Sequence, residues 1–350
     1  MPKVKPDYRK RSNRKVGFRQ FYEFHYTTND CSPDIAVEAW LADKLDFDFE
    51  KRCVLALFQG AVYSGPIETI FATQFPTFTG SAESLIKFYQ DNKARMVFAG
   101  DCKYRKIVFE QFLSSVAKSV APYGTLGKLV ASCLESEDRR DNYRKLQQLC
   151  IGEWYHWGRM GHWCFSEALY SFIKAPITPP TMEFYDGKSH RIGWAFCLNR
   201  DDLAGDKISH TDCDFLERKA AKFIAKLNHP NANFFTLETA CCNYKRQHKG
   251  SRYGGCYIDE QYDELQWAKE SWPEYAVLWE TYMLGRHEVL PASLLYENNA
   301  PQSQPRTDVA YQKSWTKSLS QYGRIPRVEA WLEDKPQVWT DIKNLPFAQG

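Results

Sequence analysis

Phe49, Cys53, Leu57 and Ala61 are apolar residues set four apart, and a chain that repeats such spacing along its length folds as helices. Asp46 or Asp48 is placed to cap this first helix, because a short carboxylate can accept from the amides of the opening turn. Thr211 and Asp214 resemble a capping box ahead of Leu216, Ala220, Phe223, Ile224 and Leu227. Ser81 opens another helical pattern through Leu85, Phe88 and Tyr89, and the same period runs over 106–120, 259–269 and 274–284. Alternating patterns are scarce. Residues 182–185, followed by Asp186-Gly187, are the one stretch that reads as a small hairpin edge. The expected fold is mainly α, in a single large helical domain.

The 350 residues are 43% hydrophobic, enough for a core of that size. No run of about 18 apolar residues is present to cross a membrane, and the polar, basic start does not read as a signal peptide. The 11 cysteines are odd in number and lack repeated Cys-x-x-Cys spacing, which points to reduced thiols in a cytoplasmic protein. The net charge is only +3, but it is unevenly spread. Lys3, Lys5, Arg9, Lys10, Arg11, Arg14, Lys15 and Arg19 face only Asp7. Residues 1–19 therefore read as a basic arm, either a solubilising terminus or a contact for a nucleic-acid backbone through Lys10, Arg11, Arg14 and Lys15. The helical domain is expected over 20–295. From 296 to about 309 the chain turns to Asn, Gln, Pro and Ser, a connector to a tail through 350 whose Trp315, Trp331 and Trp339 are expected to pack on the body.

Several chemistries are excluded by motif. The sequence has no phosphate loop, no Gly-x-Gly-x-x-Gly after a strand, no Gly-x-Ser-x-Gly elbow and no His-Glu-x-x-His. The eight histidines are dispersed, and although His156, His162 and His190 could approach one another, no metal site is expected. Polar clusters remain. Asp30 and Ser32 are placed to cap a helix starting near Pro33. Residues 92–106 carry Lys93, Arg95, Lys103, Arg105 and Lys106, either a solvated helix end or a grip on phosphate oxygens. Arg159 sits between Gly158 and Gly161, where it could anchor on buried acids or bind an anion. In Arg200-Asp201-Asp202 the acids could cap, bind a cation or act as a base.

The densest cluster is 238–261, where Glu238, Tyr244, Lys245, Arg246, His248, Lys249, Arg252 and Asp259 surround a glycine-punctuated turn. Lys245 and Arg252 suit a phosphorylated group, Tyr244 and Tyr253 suit stacking, and Glu238 or Asp259 suits proton transfer. A structural ion network is the competing reading.

The segments Phe21-Tyr22-Glu23-Phe24-His25, Arg52 to Tyr63, Phe75-Pro76, Arg200-Asp201-Asp202, and Glu238 with Tyr244-Lys245, Arg252-Tyr253 and Tyr257-Ile258-Asp259 together resemble the amino acid:DNA transferase family of bacterial viruses. The likeness runs from about residue 20 to about residue 290. It implies double-stranded phage DNA in which 5-hydroxymethyluracil replaces thymine, a DNA kinase that pyrophosphorylates the hydroxymethyl group, and a free amino acid, often glycine, whose amine displaces pyrophosphate. The product, a hypermodified thymine, helps the genome evade restriction in the host cytoplasm. The resemblance also carries a suggested distant kinship to helical DNA glycosylases. The sequence lacks their Leu-Pro-Gly-Val-Gly hairpin and has only Gly124-Thr125-Leu126-Gly127 in its stead.

On this reading Asp201, Glu238 or Asp259 takes the nucleophile's proton, and Arg105, Arg159, Lys245 and Arg252 neutralise the departing pyrophosphate. Tyr244 and Tyr253 stack on the base, flipped or in the groove. The resemblance names no definite cofactor and leaves open whether Mg2+ accompanies the pyrophosphate. Two alternatives stand beside it: a non-catalytic DNA-binding module of a modification complex, and a DNA glycosylase-like enzyme.

Overall fold

Residues 14–19, assigned above to a basic arm, form the opening turns of a helix because Phe18, Phe21 and Tyr22 give that stretch a buried face. The computed structural model describes residues 11–248 and 255–295. Lys10, Arg252 and Tyr253, and the whole tail from 296, lie outside the described residues. In chain order the α-helices are α1 Arg14–Thr28, α2 Pro33–Lys44, α3 Phe49–Val62, α4 Gly65–Gln74, α5 Glu83–Asn92, α6 Phe109–Val120 and α7 Leu126–Cys133. They continue as α8 Arg139–Glu153, α9 Arg159–Phe172, α10 Lys188–Cys197, α11 His210–Ala225, α12 Phe234–His248, α13 Cys256–Ser271 and α14 Ala276–Val289. Among the described residues there is no strand, and one isolated bridge joins Thr79 and Thr125. The mainly α expectation holds. Residues 182–185 are irregular and turn-like, so the hairpin edge expected there is absent.

Local signals set several helix starts. Asp48 caps α3 by accepting from the Lys51 amide, as expected. The α11 cap falls earlier than the Thr211–Asp214 pattern suggested: Ser209 accepts from the Asp212 amide, and the helix starts at His210. Thr125, in the Gly124–Gly127 turn, caps α7 through the Lys128 amide.

The chain gathers into two compact units, each assembled from separated segments. Of the described residues, the first takes 11–33, 181–248, 255–263 and 287–295. Its core is an aromatic cluster: Phe18 of α1 meets Trp194 of α10 at 5.6 Å and Tyr244 of α12 at 5.0 Å, and Trp194 meets Phe223 of α11 at 5.4 Å. These are edge-on and tilted pairs of the kind ring quadrupoles favour. The Trp194 indole also donates to the Leu216 carbonyl at 3.1 Å, so its one polar atom is satisfied inside the core.

The second unit takes residues 34–180 and 264–286. Its centre is α3, buried on every side from Cys53 to Val62, which is why that stretch is apolar all round rather than on one stripe. The Phe58 and Phe71 rings stack at 4.1 Å across α3 and α4. This unit also buries acids that the sequence did not single out. Glu38 and Glu68 are fully enclosed; the Glu68 carboxylate accepts from the Ser64 amide at 2.6 Å, and Glu264 accepts from the Ser64 hydroxyl at 3.0 Å. Tyr282 donates to Asp34 at 3.1 Å. Burial, with Glu68 and Asp34 nearby, holds the Glu38 carboxyl well above the ordinary range. Burial and Asp34 do the same for Glu68.

A carboxyl whose folded pKa is raised gives stability that is present below its unfolded pKa and lost as pH rises through the folded value. Glu38→Gln removes that dependence while keeping the shape of the protonated acid. The gap in melting temperature between Glu38→Gln and the parent is therefore expected to widen in favour of the variant from pH 5 to pH 8. A constant gap across that range would show that Glu38 does not bind its extra proton.

Candidate functional site

The site lies in the first unit, where α10 and α12 pack so closely that a side chain at Gly193 would collide with the backbone carbonyl of Cys241. Glycine is needed there for space. With the helices at this distance, the first turn of α10 faces one stripe of α12. That stripe is Glu238, Cys242 and Lys245, residues related by four and then three positions and so on one helix face. His190 Nδ1 lies 3.0 Å from Glu238 Oε1, with both side chains almost wholly buried. The Lys245 ammonium donates to the Ser189 hydroxyl at 2.6 Å. The Cys242 thiol lies 3.8 Å from Glu238 Oε1.

The His190 ring is held from its other side. Nε2 is 2.8 Å from the Met182 carbonyl, and the ring stacks on Phe184 with centroids 5.3 Å apart. The 182–184 segment is itself fixed, since Glu217 of α11 accepts from the Met182 amide at 2.7 Å and from the Phe184 amide at 3.0 Å. Gly187 completes the seat, because any side chain there would strike the imidazole.

A second polar group sits at the α1 end of α12. His25 Nδ1 is 3.1 Å from Asp30 Oδ2, and Asn243 is 3.3 Å from His25 Nε2. Asp30 accepts the Gly255 amide at 2.8 Å. Asp30, expected from sequence to cap α2, has its carboxylate in this buried network. Burial, opposed by Asp30, lowers the His25 pKa to about 3, so this imidazole is neutral at physiological pH.

The structure sorts the residues singled out from sequence. Glu238, Lys245, Asp259, Asp201 and Tyr244 belong to the first unit; Arg105 and Arg159 belong to the second. Asp259 is buried in the first turn of α13. Asp201 is gripped by Arg14 at 2.5 Å and Arg11 at 3.0 Å. Burial raises its pKa, but those two guanidinium groups outweigh it and hold the carboxyl below its ordinary value, which suits an ion pair better than a base. Arg14 is thereby turned inward, while Arg11 and Lys15 stay exposed. Tyr244, expected to stack on a base, is 1% exposed with its ring against Phe18 and Phe21, so it presents no free face and belongs to the core. Arg105 donates from Nη1 alone to the carbonyls of Gly60 at 2.6 Å and Ala61 at 2.8 Å, with the Trp157 ring 4.7 Å away. Arg159 lies over the Trp163 ring at 5.2 Å. Sequence reasoning missed His190, Cys242 and Ser189. The usable signal was the four-residue spacing of Glu238 and Cys242, one helical turn, in a stretch the sequence reading treated only as a polar cluster.

A helical frame carrying a buried acid–imidazole pair beside an ammonium group is the equipment of a group-transfer enzyme handling anions. The model of the amino acid:DNA transferase family matches residues 17–253, and the chain belongs to that family. It is an enzyme that transfers an amino acid to DNA. A serinyltransferase of Salmonella phage ViI is 28% identical over 323 residues, covering 83% of this chain and 77% of that relative. No solved structure matches this chain. Among the described residues no helix is long and apolar enough to cross a membrane.

The α10–α12 contact leaves no room for one added methyl group. Gly193→Ala is expected to destabilise the chain by about 1–3 kcal/mol, read as a lower urea midpoint at unchanged slope. An unchanged midpoint would show that the helices can separate freely.

Proposed function

We propose that this enzyme joins serine to the methylene carbon at C5 of pyrophosphorylated 5-hydroxymethyluracil in double-stranded phage DNA, in the host cytoplasm, with release of pyrophosphate. The observation that carries the site assignment is the single α12 stripe of Glu238, Cys242 and Lys245 facing Ser189 and His190, within the stretch matched by the family. Serine replaces the glycine expected from sequence because the phage ViI relative, similar over most of both chains, is named for serine.

The nucleophile is the amine. It loses its proton to Glu238, which His190 orients, and forms the carbon–nitrogen bond as the carbon–oxygen bond breaks. The electron pair leaves with pyrophosphate. Lys245, on the same stripe, offsets the charge that develops on the leaving oxygen, and Arg252, outside the described residues, is assigned the same task. Asp259, buried in the first turn of α13, is the second carboxylate assigned to proton transfer. Arg11 and Lys15, together with Lys10 outside the described residues, are assigned to the DNA backbone. Tyr253 is the aromatic assigned to the base. A kinase acting on 5-hydroxymethyluracil in DNA must supply the activated substrate, and Mg2+ accompanies its pyrophosphate.

Mass analysis of nucleosides digested from pyrophosphorylated DNA tests this reading with a panel of amino acids. A seryl adduct and one pyrophosphate per adduct are expected. Glu238→Gln should slow product formation about 10²- to 10⁴-fold, and Lys245→Ala about 10²-fold, with DNA binding retained. Absence of any adduct across the panel overturns the proposal. Serine also carries a hydroxyl, and the two linkages have equal mass. A primary-amine reagent separates them: an adduct that still reacts would assign the attack to the hydroxyl and overturn the amine linkage alone.

A further inference from the structure

We infer that His190, Glu238 and Cys242 form a binding site for a divalent transition-metal ion of the zinc type, open at one coordination position. His190 Nδ1, a Glu238 carboxylate oxygen and Cys242 Sγ all lie within 4.8 Å of one another. The individual edges are 3.0 Å from Nδ1 to Oε1 and 3.8 Å from Sγ to Oε1. A tetrahedral zinc ion with ordinary bond lengths would set those edges at about 3.3 Å and about 3.6 Å. The observed spacings differ from these by a few tenths of an ångström.

The hydrogen-bond pattern of His190 argues the same point independently. Nε2 faces the Met182 carbonyl at 2.8 Å, and a carbonyl can only accept, so Nε2 carries the hydrogen. Nδ1 is then the ring nitrogen that faces the Glu238 carboxylate. An imidazole nitrogen and a carboxylate oxygen 3.0 Å apart, almost wholly buried, hold a cation between them, a proton or a metal ion. A histidine that donates its far N–H to a backbone carbonyl is the arrangement that orients an imidazole toward a metal. Here that carbonyl belongs to a segment pinned by Glu217.

The donor set selects the ion. One imidazole, one carboxylate and one thiolate are too soft for Mg2+ and suit zinc-like ions. Three protein ligands leave a fourth position for water or substrate, the pattern of reactive rather than structural zinc sites. Glu238 binds through Oε1, the atom shared by both short edges.

The inference uses the proposed site but does not depend on the proposed reaction, and Co2+ binding tests it without turnover. Full-length protein freed of metal by a chelator is titrated with Co2+. One equivalent is expected to bind with a thiolate-to-cobalt absorption band, to be displaced by Zn2+, and to lose that band in Cys242→Ala. Cys242→Ser, which keeps the side-chain size, should lose it with unchanged circular dichroism. A parent chain with no thiolate band, or a band that survives in both variants, overturns the inference and leaves a shared proton between His190 and Glu238. Product formation by a chain that binds no metal would sink this inference alone, whereas a cobalt band without product would sink the proposed reaction alone.

Discussion

The close approach of α10 and α12 at Gly193 and the Cys241 carbonyl is the contact on which the site depends. It is a backbone-to-backbone approach, so it fixes the separation of two helices more tightly than interdigitated side chains would. Two polar pairs of the site span that seam: Ser189 with Lys245, and His190 with Glu238. The aromatic cluster of Phe18, Trp194, Phe223 and Tyr244 also joins these two helices and adds α1 and α11. Packing thus supplies geometry, and geometry supplies chemistry.

Positioning also runs through a chain of hydrogen bonds. Glu217 holds the amides of Met182 and Phe184, the Met182 carbonyl holds His190, and His190 meets Glu238. An irregular segment can hold a functional histidine in this way because its backbone groups are satisfied by a helix-borne carboxylate. The same segment was read from sequence as a hairpin edge. Its alternation of apolar and polar residues is real, but Met182 and Phe184 are buried by helices and have no partner strand.

The helical class was legible because period and caps are local properties, and α3 begins at the Asp48 cap that the sequence marks. Glu238 and Lys245 were singled out because charged and aromatic residues crowd 238–261; the helix that gives them a common face came only with the structure. His190 was not, since its partner comes from a helix far along the chain and an isolated histidine looks like any core residue. Tyr244 was assigned to stacking because aromatic residues beside cations read alike whether they face solvent or core; only burial separates the two. Asp201 and Arg14 illustrate a related limit. Each was placed in a different function, and the fold pairs them with each other.

The enclosed acids of the second unit carry a thermodynamic consequence. At a pH between their unfolded and folded pKa values, Glu38 and Glu68 bind protons in the folded chain that they release when it unfolds. Through these two groups, folding of this unit draws hydrogen ions from the medium, and its heat, measured by calorimetry in that range, will vary with the ionisation enthalpy of the buffer chosen.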